Sequence, residues 1–296
     1  MTDPGDHTVQ LRDGRTLAYT VYGDPDGSPV LNCHGGLVSR IDVEPNEADF
    51  RRLGAMVVSP DRPGVGGSSR KPGHSTGGWA DDARELVDAL GIDRFAVMGW
   101  SEGGQYAAAV AAHLGDRVTR AAIIAGCLPL DDAATFAELN AFDRRFATMS
   151  TKRAWMARGV FGSMTFLARH LPKQYAKFSA RSMPEPDAAV IRRHSGWFAR
   201  ASAEGGRNSH GVVDEYRAFV APWGFTLADV QVPVHVYQGS VDGLVPPKWA
   251  GRIAAALSDA TLTTYDGEGH FIAVTHRGDV VRDLLATAAK APTPPS

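Results

Sequence analysis

Phe95-Ala96-Val97-Met98-Gly99-Trp100-Ser101-Glu102-Gly103-Gly104-Gln105-Tyr106 is the stretch that decides how this chain folds. Its first four residues are apolar and read as a buried strand, while Gln105 to Leu114 carries helical periodicity. Only Gly99 to Gly103 separates the two, in the pattern G-x-S-x-G. Reversing a strand into a helix over so short a span strains the serine backbone. It also brings the positions two before and two after the serine together, where a Cβ would clash; glycines at 99 and 103 remove it. The pattern is common by chance, and the strand before it and helix after it make it specific. Small residues in the helix (Gly104, Ala107, Ala108, Ala111) allow close packing on a sheet.

The same alternation extends in both directions. Thr8–Leu11 and Leu17–Tyr22 flank Asp13-Gly14 as a hairpin. Val30–Cys33, Met56–Ser59, Ala121–Ala125, Val234–Tyr237 and Thr261–Tyr265 read as further strands, with a helix over Ala80–Leu90. Strands alternating with helices predict an α/β fold: a mostly parallel sheet with helices on both faces. The alternation breaks over about 129–225, which reads as helical and holds 14 of the 25 aromatic residues. The expected organisation is a catalytic domain of 1–128 and 226–296 interrupted by a helical cap, 129–225. The cap carries 14 Lys+Arg against 9 Asp+Glu, a net of +5 that leaves −7 for the rest. This opposition is expected to help hold the cap over the sheet.

A serine hydroxyl is a poor nucleophile until a base accepts its proton. Among ten histidines His270 is the best placed, in Asp266-Gly267-Glu268-Gly269-His270-Phe271 just past the last strand. His235 reads as packed or cross-strand bonded, and His7, His74, His113 and His276 as surface residues. His170, His194 and His210 fall in the helical stretch. The base needs an orienting acid, and Asp242 follows the strand Val234–Tyr237 at the edge that bears the serine. Asp131 and Asp132 are the rivals. A tetrahedral intermediate needs two N–H donors. They are assigned to the backbone of Glu102 and, from His34-Gly35-Gly36, to that of Gly36.

Asp61-Arg62-Pro63-Gly64-Val65-Gly66-Gly67-Ser68-Ser69 lacks the lysine and spacing of a phosphate loop and reads as a structural turn bordering the site. The Glu102 side chain reads as a charge at a helix N-terminus. The sharper alternative puts it near the substrate, or beside an arginine of the helical stretch. Cys33 and Cys127 have no metal or C-x-x-C spacing and read as reduced core residues. The 296 residues carry 31 Lys+Arg against 33 Asp+Glu, a net of −2 that excludes a general electrostatic grip on nucleic acid. No run approaches a membrane span, and the acidic start Met1–His7 has no apolar core, so a soluble cytoplasmic chain is expected. The tail 291–296 reads as disordered.

The ordered set His34-Gly35-Gly36, Asp61–Ser69, Gly99–Gly104, Gly239-Ser240-Val241-Asp242-Gly243-Leu244-Val245-Pro246 and Gly267–Phe271 resembles the α/β-hydrolase superfamily in its cap-bearing form. The resemblance covers about residues 8–128 and 226–290. It is similar to proline iminopeptidases and to small bacterial esterases and lactonases. It departs from the first where their motif HGGPG would continue, at Leu37-Val38, and from epoxide hydrolases in having Ser101 rather than an aspartate. It implies acyl transfer from a small ester or lactone with an apolar part, carried by Ser101, Asp242 and His270, with no metal or cofactor. A second reading, an aminopeptidase or amidase, requires an acidic subsite such as Glu102 or Glu204. A third is a hydrolase fold serving as a ligand receptor without turnover.

Overall fold

The computed structural model describes residues 6–286; the expectation for the tail at 291–296 lies outside them. In chain order the strands and helices run β1 (His7–Gln10), β2 (Thr16–Gly23), β3 (Ser28–Cys33), α1 (Glu47–Arg52), β4 (Ala55–Pro60), α2 (Trp79–Ala89), β5 (Phe95–Trp100), α3 (Gly103–His113) and β6 (Val118–Ile124). Seven helices follow: α4 (Ala133–Glu138), α5 (Ala141–Lys152), α6 (Ala154–His170), α7 (Pro172–Arg181), α8 (Glu185–Arg193), α9 (Ser195–Gly205) and α10 (Ser209–Phe219). The chain then closes with β7 (Val234–Gly239), α11 (Lys248–Ala256), β8 (Ala260–Tyr265), α12 (Ile272–Thr275) and α13 (Arg277–Leu285). No helix among the described residues is long and apolar enough to cross a membrane.

The strands form one sheet in the order β1-β2-β4-β3-β5-β6-β7-β8. β1 and β2 are antiparallel additions, and β4 through β8 are parallel. Side chains alternate across a strand, and here the alternation feeds two cores. Leu31, Val58, Val97, Ile123 and Val236 face the core that includes α2, α3 and α11. Val30, Val57, Ala96, Ala122 and Tyr237 face the core that includes α1 and α13. Burial on both faces explains the unbroken apolar runs of the central strands. From β3 the chain passes to β4 on one side, then returns to place β5 on the other. Loops at the C-terminal ends of β3 and β5 thus diverge around a crevice, the usual ligand position in such sheets.

Helices α9 and α10 are docked on the loops that follow β3 and β4 by polar contacts. Arg62 meets Glu215 at 2.6 Å, Arg70 meets Asp214 at 2.6 Å and Arg40 meets Glu204 at 3.2 Å. Trp197 Nε1–H donates to the Ile41 carbonyl at 2.8 Å. The polarity of these pairs reverses the expected one: the carboxylates come from the helical segment and the arginines from the sheet side. Arg200 with Glu44 is the exception. Net charge by segment is a poor guide to docking because the few buried pairs act at contact distance, whereas exposed charges are screened beyond about 10 Å.

Candidate active site

Ser101 closes β5 with φ of +57°, in the left-handed region that non-glycine residues avoid. The conformation is held from both sides. Its N–H donates to the Ile124 carbonyl of β6 at 2.8 Å, and its carbonyl accepts from Gly104 N–H at 2.9 Å, opening α3. A Cβ on Gly99 would lie 2.1 Å from the Gly103 carbonyl oxygen, so the reversal does require glycine there.

His270 and Asp242 come together 28 residues apart in sequence, with Nδ1 2.8 Å from Asp242 Oδ2. The Asp242 carboxylate is fully committed. Oδ1 accepts from the N–H groups of Leu244 at 2.8 Å and Val245 at 2.9 Å, and Oδ2 also accepts from Gln238 Nε2 at 3.0 Å. These contacts fix the carboxylate before the imidazole arrives. Of the rival acids, Asp132 caps α4 through Thr135 and Asp131 is exposed. His235 bonds across strands to Thr263 Oγ1 at 2.7 Å. His74 and His276, read as surface residues, are half-buried, with the His276 ring stacked on Tyr265.

The imidazole is tied to the serine strand through Trp100, whose Nε1–H donates to the His270 carbonyl at 3.0 Å. No hydrogen bond joins Ser101 to His270 in this structure, a common state of such pairs without substrate. A third tie comes from a residue sequence reading missed. Asp187 of α8 accepts the Phe271 N–H on Oδ1 at 2.8 Å, while its Oδ2 is buried without a partner. Burial opposes the charged form of His270; Asp242, then Asp187 and Asp143, outweigh it and raise the imidazole pKa above 6.5.

The backbone N–H groups of Gly36 and Glu102 donate to no acceptor among the described residues. Leu37, with φ of +58°, turns the chain just past Gly36. A second missed residue holds this loop. Arg62, buried to 0% exposure, donates to the His34 carbonyl, to the Gly35 carbonyl at 3.2 Å and to Glu215 at 2.6 Å. His34 is buried and accepts the Arg62 N–H on Nε2 at 3.2 Å, so its Nδ1 proton faces the Gly35 carbonyl at 2.7 Å. Desolvation pushes its pKa well below the usual imidazole value, which keeps it neutral. Asp61 carries the structural part of the turn, accepting from Arg40 and from the Gly67 N–H.

Glu102 stands at the N-terminus of α3, but as a dehydrated group. It is not a solvated charge at a helix end, nor does it pair with an arginine of the helical segment. Its carboxyl is buried, with Oε1 unpartnered, and Oε2 lies where a Cβ on Gly36 would be 2.6 Å away. Burial first, then Glu215, raises its pKa well above the ordinary range, against Arg62. No periodicity or spacing signals this, because Glu215 lies more than a hundred residues away. A small, mainly apolar cavity of about 10 Å³, room for about one water molecule, borders the loop, lined by Leu37 and by Phe161, Met164, Thr165, Tyr175, Ser202 and Val212 of the helical segment. Among the described residues no cluster of His, Cys, Asp or Glu is arranged to hold a metal ion.

The family model for the alpha/beta hydrolase fold matches residues 28–277. The chain is 28% identical to a non-heme chloroperoxidase of Streptomyces lividans, over 94% of this chain and 98% of that one. It is 27% identical to a bifunctional esterase/perhydrolase of Acinetobacter calcoaceticus, again over 94% and 98%. Its structure is similar to an alpha/beta hydrolase fold protein from Nakamurella multipartita, with a TM-score of 0.72 at 20% identity over 96% and 100% of the chains. It is also similar to the enol-lactonase from Burkholderia xenovorans LB400, with a TM-score of 0.68 at 18% identity over 95% and 100%.

Proposed function

The chain belongs to the alpha/beta hydrolase fold family, and from that premise we propose that it is a serine hydrolase cleaving a carboxylic ester or lactone. The observation that carries the proposal is the buried Asp242–His270 hydrogen bond, at 2.8 Å, beside the strained Ser101. In the proposed cycle Ser101 Oγ attacks the carbonyl while His270 Nε2 takes its proton. Asp242 holds the ring and stabilises its cation. The Gly36 and Glu102 N–H groups receive the oxyanion, each contributing about 3 kcal/mol to barrier lowering. His270 returns the proton to the leaving alcohol, then activates water to release the acid. The helical segment 129–225 acts as a cap over these loops, held there by the Glu204, Asp214 and Glu215 pairs.

The amine-directed reading is less well supported. Glu204 is engaged by Arg40, and Glu102 is buried with its charged form disfavoured. A ligand receptor without turnover has no need of an acid held by three hydrogen bonds against a histidine. The esterase/perhydrolase name of one relative fits the same acyl-enzyme, with hydrogen peroxide replacing water as acceptor. The decisive experiment is a panel of acyl esters of varied chain length, several lactones and a proline arylamide, run on wild type and Ser101→Ala.

The pH profile is a second test. His270 acts as a base only when neutral, so activity falls as pH drops through its raised pKa. The acid limb of kcat/KM is expected above pH 6.5. The same shift has the opposite sign for stability: the charged pair with Asp242 stabilises fully below the unfolded value, and that contribution is lost as pH rises through the folded one. Asp187→Asn keeps an oxygen for the Phe271 N–H and removes the charge, so the limb moves to lower pH. Asp187→Ala loses the acceptor too and lowers kcat. Identical limbs in wild type and Asp187→Asn would remove Asp187 from this role.

A further inference from the structure

Seven of the nine large hydrophobic side chains exposed among the described residues lie on α5 to α7 or the turn between α6 and α7: Phe142, Trp155, Val160, Phe166, Leu167, Leu171 and Phe178. Three are aromatic and more than half exposed: Trp155 at 70%, Phe166 at 60% and Phe178 at 74%. On α6 two of them share one exposed face. Trp155, Gly159, Gly162 and Phe166 recur at helical spacing and are all exposed, while Ala157, Phe161 and Ala168 face inward. A soluble surface tolerates single exposed apolar residues, but seven gathered on three helices that pack together mark an interaction site.

Charge identifies what the set meets. Residues 141–181 hold nine Lys and Arg (Arg144, Arg145, Lys152, Arg153, Arg158, Arg169, Lys173, Lys177, Arg181) against one acid, Asp143. None of the nine forms an ion pair with a carboxylate among the described residues, and seven are exposed. Three acids of the helical segment are spent inward: Glu204, Asp214 and Glu215, on Arg40, Arg70 and Arg62. Residues 141–181 therefore carry a net +8 while the remaining chain carries −10. A second copy docked face to face would place like charges together. Unpaired Lys and Arg around protruding Trp, Phe and Leu are instead the composition of a peripheral membrane face.

We propose that α5 to α7 form a docking surface for an anionic phospholipid bilayer. The aromatic and leucine side chains enter the headgroup boundary, and the Lys and Arg side chains meet lipid phosphates and carboxylates. Attachment is peripheral.

Flotation of the full chain with vesicles of phosphatidylcholine, alone or mixed with phosphatidylserine, tests this. Binding is expected at least tenfold stronger with phosphatidylserine and lost at high salt. Trp155→Ser/Phe166→Ser/Phe178→Ser and Lys173→Glu/Lys177→Glu/Arg181→Glu are each expected to weaken it at least tenfold. Turnover of a water-soluble ester is expected to stay unchanged in both. The Ser101→Ala protein should bind vesicles like wild type, so the result does not depend on the catalytic reading. Equal binding to both vesicle types, no binding, or triple variants that bind like wild type would overturn the proposal. So would concentration-dependent self-association that disappears in the aromatic variant.

Discussion

Ser101→Ala is expected to lower kcat toward p-nitrophenyl esters by about 10⁴- to 10⁶-fold, leaving the fold intact. The size follows from the loss of the only atom that can form the acyl-enzyme. What remains is binding and whatever oxyanion stabilisation the Gly36 and Glu102 N–H groups give to direct attack by water. A glycine at the same position separates chemistry from backbone strain. At φ of +57°, a residue with a Cβ costs about 1–2 kcal/mol relative to a helical or extended conformation. Glycine escapes that cost and loses about 0.5–1 kcal/mol through its freer unfolded chain. Ser101→Gly is therefore expected to be as inactive as Ser101→Ala and at least as stable to heat. Ester turnover retained in either variant would end the serine-hydrolase reading. A Ser101→Gly protein melting well below Ser101→Ala would mean that the positive φ stores no strain.

Arg62→Ala is expected to be the most damaging single substitution of a charged residue, destabilising by about 3–5 kcal/mol. For a chain of this size that corresponds to a fall of about 10 °C in Tm. The guanidinium is fully buried, lies over the Tyr106 ring at 4.4 Å and supplies the only ion pair of Glu215 among the described residues. Its removal leaves Glu215 buried and uncompensated beside the buried Glu102 carboxyl, and strips two donors from the His34 and Gly35 carbonyls. Those carbonyls precede Gly36, so the loop that presents its N–H loses its anchor. Turnover should fall more than substrate affinity. Arg62→Met combined with Glu215→Leu removes both charges and keeps volume, and is expected to recover most of the lost stability. Thermal unfolding of the three proteins checks this. A single variant that melts like wild type would show that the buried pair contributes nothing.

Much of the sheet and part of the site were legible in the chain because their determinants are local. β5, the tight reversal and α3 follow from apolar runs, glycine placement and helical periodicity within a dozen residues. Asp242 and His270 were found by position, each just past a strand that ends on the serine's edge of a parallel sheet. Their hydrogen bond could be anticipated without any knowledge of packing. The Gly36 loop was legible for the same reason, as a glycine pair directly following β3.

Arg62, Glu102, Asp187 and Glu215 were not legible in this way. In sequence each reads as a solvated charge or part of a turn, because isolated ionisable residues usually stay in water. Their roles arise when α8 to α10 close over the loops of β3, β4, β5 and β8, joining residues separated by 153 positions for Arg62 and Glu215 and by 84 for Asp187 and Phe271. Nothing local encodes such pairings. Periodicity reports which face of an element is apolar, and it is silent about which distant element covers that face. The sequence by itself thus determined the α/β architecture and placed the serine, the histidine and the acid on one edge. Tertiary structure alone decided which charges are dehydrated, and dehydration is what turns an ordinary carboxylate or arginine into a strong, position-specific interaction.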